Sequence, residues 1–179
     1  MALVNPVIFQ VVGYQNSGKT TITSKLIETL VKSSLKIVTI KHHGHGGRPT
    51  DTQLKDTEKH LTAGAFASIV EGEGSLILKA NNCEKSLEDQ IELMKFFKPD
   101  VILIEGYKQK HFPKLLLLRD KNDLPLLNIV GNVAAIVYWK EEMDNQITSQ
   151  LKVPCFHIHD GKAITWTARL LQELVHKID

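Results

Sequence analysis

The sequence predicts an α/β protein, a three-layer α/β/α sandwich around a mostly parallel sheet with one local β-hairpin added. Three observations lead there. Apolar runs of strand length alternate with helical periodicities along almost the whole chain, the pattern of repeated βα units. Two of these runs, "VILIEG" and "KLLLLR", are almost wholly apolar, which suits strands covered on both faces. A glycine-rich loop, "GYQNSGKT", separates the first such run from the first helical pattern.

"VIFQVV" (Val7 to Val12) is the first predicted strand. After the loop, Ile22, Leu26, Ile27, Leu30 and Val31 recur at helical spacing, so Thr20 to about Ser33 should be an amphipathic helix. "KIVTI" (Lys36 to Ile40) returns as a strand. The polar segment "KHHGHGGRPTDT" has nothing to bury and is expected as a surface loop. Asp51 to Ala63 is helix-compatible but has few apolar positions, chiefly Leu54 and Leu61, which predicts a short exposed helix.

"FASIV" (Phe66 to Val70) and "SLILK" (Ser75 to Lys79), joined by "EGEG", read as the hairpin. Ser86 with Asp89 three residues later forms a capping pair for a helix with Leu87, Ile91, Met94 and Phe97 inward, stopped by Pro99. Val101 to Gly106, Lys114 to Arg119, Ala134 to Tyr138 and Cys155 to Ile158 complete the strands. Glu141 to about Leu151 is helix-compatible. Ile164, Ala168, Leu171, Leu174, Val175 and Ile178 trace a stronger stripe at the C-terminus.

With 179 residues, 42% of them hydrophobic, the chain suits one sizeable core, so a single domain over 1–179 is expected. A net charge of +2, from 22 Lys+Arg and 20 Asp+Glu, shows no preference for nucleic acid or an anionic membrane. A small-molecule or protein partner is expected instead. Cys83 and Cys155 stand alone, without CxxC spacing, which fits a reducing compartment. No secretory signal pattern opens the chain, and no apolar run approaches the roughly 18 residues of a spanning helix. The expectation is a soluble, cytoplasmic protein.

Gly13, Gly18, Lys19 and Thr20 satisfy G-x-x-x-x-G-K-[ST] between a strand and a helix, the context in which the pattern is a phosphate loop of the NTPase type. A wrapped phosphate chain requires inward-pointing N–H groups, and glycine tolerates the curl. The helix N-terminus adds positive potential, Lys19 neutralises the β and γ oxygens, and the Thr20 hydroxyl is suited to Mg²⁺. The bland reading is a glycine-rich turn with a solvated lysine. A second oxygen ligand is expected at a buried strand's C-terminal edge, where Glu105 stands; Asp100 lies at that strand's other end.

His42, His43, His45 and Asp51 crowd one loop, and metal binding or contact with phosphate or substrate are both open. Lys108, Lys110, Lys114 and Arg119 form a basic stretch that attracts a phosphorylated ligand or merely flanks a strand. "DKND" (Asp120 to Asp123) is a near-match to the guanine-reading Asn-Lys-x-Asp, with aspartate for asparagine; a charged turn would contain the same residues.

"VVGYQNSGKTT", "TIKHHGHG", "KDTEKHLTAGA" and "ILIEGYK", in that order, resemble the molybdopterin-guanine dinucleotide biosynthesis protein B (MobB) family over most of the first 120 residues. The resemblance implies GTP binding with Mg²⁺, slow hydrolysis at most, and a homodimer. It implies a role assisting a separate nucleotidyltransferase that joins GMP to molybdopterin, or alternatively carriage of nucleotide or pterin without catalysis, or a metallochaperone-type GTPase. By matching position, Gly13, Tyr14, Gln15, Asn16, Ser17, Gly18, Lys19, Thr20 and Thr21 would hold the phosphates. Glu105 would take the Walker B place with Thr20 on the metal, and Lys19, Glu105 and Asp56 would serve the chemistry. Asp56 and His60 fall on the family's "KDS…H" stretch, with Thr57 in place of its serine.

Overall fold

The computed structural model describes residues 5–42, 55–81, 83–143, 147 and 151–177, apart from the side chains of Lys55 and Asp56. The chain divides into two compact units, residues 1–44 with 91–179, and residues 45–90.

Six strands form the sheet of the larger unit: β1 (Val7–Val12), β2 (Ile37–Lys41), β5 (Val101–Glu105), β6 (Lys114–Leu118), β7 (Val133–Tyr138) and β8 (Cys155–His157). Their order across the sheet is β2-β5-β1-β6-β7-β8. All five pairings are parallel. The β-branched and leucine-rich runs that predicted these strands are buried throughout β5 and β6, as expected of strands with both faces covered.

Period-two alternation sorts the side chains onto two apolar clusters, one per face. On one face Phe9, Val11, Leu103, Leu115, Leu117 and Val137 pack under helices α1 (Lys19–Val31) and α5 (Lys162–Val175). Ile22, Leu26 and Leu30 of α1 meet Ala168, Leu171 and Val175 of α5 there, so the predicted stripes are the buried ones. On the other face Val12, Leu116, Leu118 and Ile136 pack against Leu126, Leu127, Val130, Met143 and Ile147. Leu126 and Leu127 belong to a short helix α4 (Leu126–Ile129), which is too brief to give a periodic signal in sequence. Of the helix expected over 141–151, Glu141–Met143 forms a single 3₁₀ turn, and most of the rest lies outside the described residues.

The smaller unit contains α2 (Lys55–Thr62) and a separate two-stranded antiparallel sheet, β3 (Ala67–Gly72) with β4 (Ser75–Ala80). The hairpin therefore forms, but as a sheet of its own and not as an addition to the parallel one. Its register pairs Ile69 with Leu78, Val70 with Ile77 and Glu71 with Leu76. Lys79 bonds Glu58, tying β4 to α2. Helix α3 (Leu87–Lys95) begins with the expected capping pair: Ser86 Oγ accepts from the Asp89 amide at 3.1 Å, and Asp89 Oδ2 accepts from the Ser86 amide at 3.2 Å. Leu87 and Ile91 are buried as expected, whereas Phe97 is exposed, because the helix has already ended at Lys95.

Candidate functional site

The loop between β1 and α1 turns tightly because two of its residues take left-handed backbone angles. Gly18, at the helix N-cap, has φ +90°, and Asn16 sits in the left-handed region at φ +59°. Gly13 lies under the loop with no room for a side chain: a Cβ there would fall 2.6 Å from Ser17 Oγ and 2.8 Å from the Leu117 carbonyl oxygen. The first N–H groups of a helix have no acceptor within it, and among the described residues no main-chain carbonyl accepts from Gly18 to Thr21. These donors, with the dipole behind them, favour an anion.

Trp139, just past the end of β7, braces the loop from the far side. Its indole Nε1 donates to the Ser17 carbonyl at 3.1 Å, and its ring lies 3.5 Å from where a Cβ on Gly18 would be. His157 contacts the Trp139 carbonyl in turn, at 2.9 Å through Nε2.

Lys19 Nζ donates to the Tyr14 carbonyl at 2.7 Å, folding the lysine back over the loop. Burial lowers its pKa below the ordinary lysine value; Glu105 offsets part of this, while Lys108, Lys41 and Arg119 add to the lowering. Of these cations Lys41 is paired with the carboxylate, its Nζ 3.4 Å from Glu105 Oε1. Thr20 Oγ1 donates to Glu105, lying 3.0 Å and 3.1 Å from its two oxygens. The parallel pairing of β1 with β5 sets Val11 beside Glu105, which brings this carboxylate to the mouth of the loop. A hydroxyl and a carboxylate are the hard oxygen donors that suit Mg²⁺, which usually takes only one or two protein ligands beside phosphate and water. The pair fits such an ion.

The segment after Glu105 is gripped by two buried polar side chains, Gln10, which sequence reasoning passed over, and Lys114, which it placed in a basic stretch and not in the interior. Gln10 and Lys114 are register partners on β1 and β6 and are fully buried. Gln10 Nε2 donates to the Gly106 and Tyr107 carbonyls, each at 2.9 Å. Lys114 Nζ donates to the Lys108 carbonyl at 3.3 Å and to that of Lys110. Burial lowers the Lys114 pKa. The grip holds Gly106 at φ +105° and Tyr107 at φ +53°, sets Tyr107 against the His42 ring at 4.5 Å, and places the Lys108 ammonium 4.8 Å over the Tyr14 ring. Gln10, a polar residue inside an apolar strand, was the one available sequence signal. Replacing Lys114 with alanine should cost about 2 kcal/mol of stability, measured by chemical denaturation, because it strips the donor from two carbonyls and leaves a gap.

The remaining candidates are placed differently. Asp100 stands at the opposite end of β5, accepting from the Lys36 amide at 2.6 Å. The carboxylates of "DKND" hold a turn: Asp120 accepts from the Asn122 amide at 2.9 Å, and buried Asp123 accepts from the Arg119 amide at 2.8 Å and from its Nε at 3.4 Å. The Asp56 side chain, His43, His45 and Asp51 lie outside the described residues. His60 is on α2 in the smaller unit. Among the described residues no three His, Cys, Asp or Glu side chains gather as a metal site, and no helix is long and apolar enough to cross a membrane.

A parallel sheet whose first strand runs through this loop into a helix, with a carboxylate from the neighbouring strand bonded to the helix's threonine, defines a phosphate-loop NTPase-like protein. Residues 8–139 match the family model described as MobB, molybdopterin guanine dinucleotide synthesis protein B. The chain belongs to this family. A Bacillus subtilis (strain 168) protein described as a "probable molybdopterin-guanine dinucleotide biosynthesis adapter protein" is 42% identical over 174 residues, 96% of this chain and 98% of that one. The crystal structure of Bacillus subtilis MobB is similar with a TM-score of 0.76 at 38% identity, covering 91% of this chain and 96% of that one. That of a MobB homologue from Bacillus stearothermophilus reaches 0.73 at 30% identity, covering 93% and 98%.

Proposed function

We propose that this protein binds GTP with Mg²⁺ through Gly13 to Thr21 and acts as an adapter in molybdopterin-guanine dinucleotide biosynthesis, in the cytoplasm. In this reading it assists a separate nucleotidyltransferase that joins GMP to molybdopterin. The observation that supports it best is the meeting of Thr20 and Glu105 at 3.0 Å beside the glycine loop. Lys19 would leave the Tyr14 carbonyl for the β and γ oxygens, and the N–H groups of Gly18 to Thr21 would receive phosphate. Bound Mg²⁺ would neutralise phosphate charge. Hydrolysis in this reading is slow at most, as the family resemblance implies. Calorimetric titration with GTP and ATP in the presence of Mg²⁺ tests the assignment. Preference for GTP is expected; preference for ATP refutes the choice of nucleotide, and no binding of either refutes the nucleotide reading.

The adapter is a homodimer in this proposal, and the hairpin supports it. A two-stranded sheet is marginal alone, yet the face bearing Ile69, Leu76 and Leu78 is open, at 60%, 50% and 44% exposure. Sedimentation equilibrium should show a dimer for the wild type and a monomer for an Ile69→Glu, Leu78→Glu variant. An unchanged mass would exclude this face as the contact.

A further inference from the structure

Lys41 ends β2 as the register partner of Glu105 on β5. Its Nζ donates to Thr20 Oγ1 at 3.1 Å and lies 3.4 Å from Glu105 Oε1. The Thr20 hydroxyl in turn donates to both oxygens of the same carboxylate. Three groups thus form one closed ring of bonds, two of them the oxygen donors that fit a divalent cation and the third a cation already. An ammonium has only donors, so the lone pairs it takes on Thr20 and Glu105 are those a metal would need.

Two cations drawn to the same pair of oxygens would stand a few ångströms apart, a separation at which like charges near a protein surface weaken binding by about tenfold or more. The lysine can yield. Its side chain is 60% exposed on a flexible four-carbon stem, whereas that of Glu105 is 11% exposed and held in a strand between two neighbours.

We propose that Lys41 is a tethered competitor for the Mg²⁺ position, holding Thr20 and Glu105 together and giving way when the divalent ion arrives with nucleotide. The inference rests on the nucleotide reading above. It makes Lys41 a residue that sets how much Mg²⁺ is required for tight binding, without touching the nucleotide.

The test follows calorimetric binding of a non-hydrolysable GTP analogue across a series of free Mg²⁺ concentrations, for wild type, Lys41→Met and Lys41→Arg. The free Mg²⁺ at which binding is half-tightened should fall about tenfold in Lys41→Met and stay near the wild-type value in Lys41→Arg, which keeps the charge. A midpoint in Lys41→Met that is unchanged or higher overturns the inference. So does a fall of equal size in Lys41→Arg, or loss of binding by Lys41→Met at every Mg²⁺ concentration, which would make the lysine a nucleotide ligand. Failure of the wild type to bind the analogue at any Mg²⁺ concentration overturns the nucleotide reading and this inference together.

Discussion

Lys19→Ala should weaken GTP binding by about two to three orders of magnitude, with the folded state intact by circular dichroism. In the proposed complex the lysine would supply a charge-assisted bond to phosphate in a partly dry site, where such a bond is worth several times its value in water. Because its bond among the described residues is to the Tyr14 carbonyl, within the loop itself, removing it leaves little of the core disturbed. Titration by calorimetry reads the loss directly; wild-type affinity in the variant would refute the role. The pH dependence has a defined sign. Burial lowers the Lys19 pKa in the folded protein below 10.5, and a bound triphosphate would raise it again. GTP affinity is therefore expected to be flat below the lowered pKa and to fall as pH rises through it, in an alkaline window that ends at the pKa of the complex, as titration across a pH series would show. The same shift acts on folding in the opposite direction: the unfolded chain holds this proton more tightly, so the destabilising contribution of Lys19 is full at neutral pH and is relieved as pH climbs toward 10.5.

Gly13→Ala should cost about 3 kcal/mol of stability and most of the nucleotide affinity, a larger stability effect than any other substitution considered for the loop. The added methyl would meet the Leu117 carbonyl oxygen at 2.8 Å, and that oxygen lies on β6, a central strand with buried neighbours. Ser17 Oγ, at 2.6 Å, can rotate; the strand cannot. The loop must therefore lift off the sheet, taking Ser17 away from the Trp139 indole. A melting temperature within a degree or two of the wild type would show that the loop accommodates the methyl.

Much of this architecture could be read from the chain because its strands are nearly pure apolar runs. Val7–Val12 and Val101–Glu105 stand where the runs stand, since a strand buried on both faces tolerates little else. The Ser86–Asp89 pair was equally legible, being a local signal whose partners lie three residues apart. The hairpin strands were visible, but their independence from the main sheet was not. Pairing between distant strands leaves no mark in either strand's own sequence, and "FASIV" would look the same at the edge of the larger sheet. For the candidate site, the loop and Glu105 could be picked out by motif and by position at a strand end, and the structure brings Thr20 and Glu105 into contact. Gln10 left one faint mark, a polar residue inside an apolar strand, but its role and those of Lys114, Lys41 and Trp139 could not be picked out. Their partners are backbone carbonyls or side chains contributed by remote elements, and a lysine at a strand end reads as solvated until the neighbouring strand is in place. Lys114 shows this best: taken from the sequence as one of a basic stretch, it is a buried strut whose ammonium never reaches the surface.

The indole of Trp139 meets the loop across a sequence separation of 122 residues. Synthesis delivers these two partners far apart in time: the glycines leave the ribosome early, while their brace follows only when most of the 179 residues have been made. A nascent or truncated chain ending before β7 would therefore have the complete motif and still lack the wall that holds it in shape.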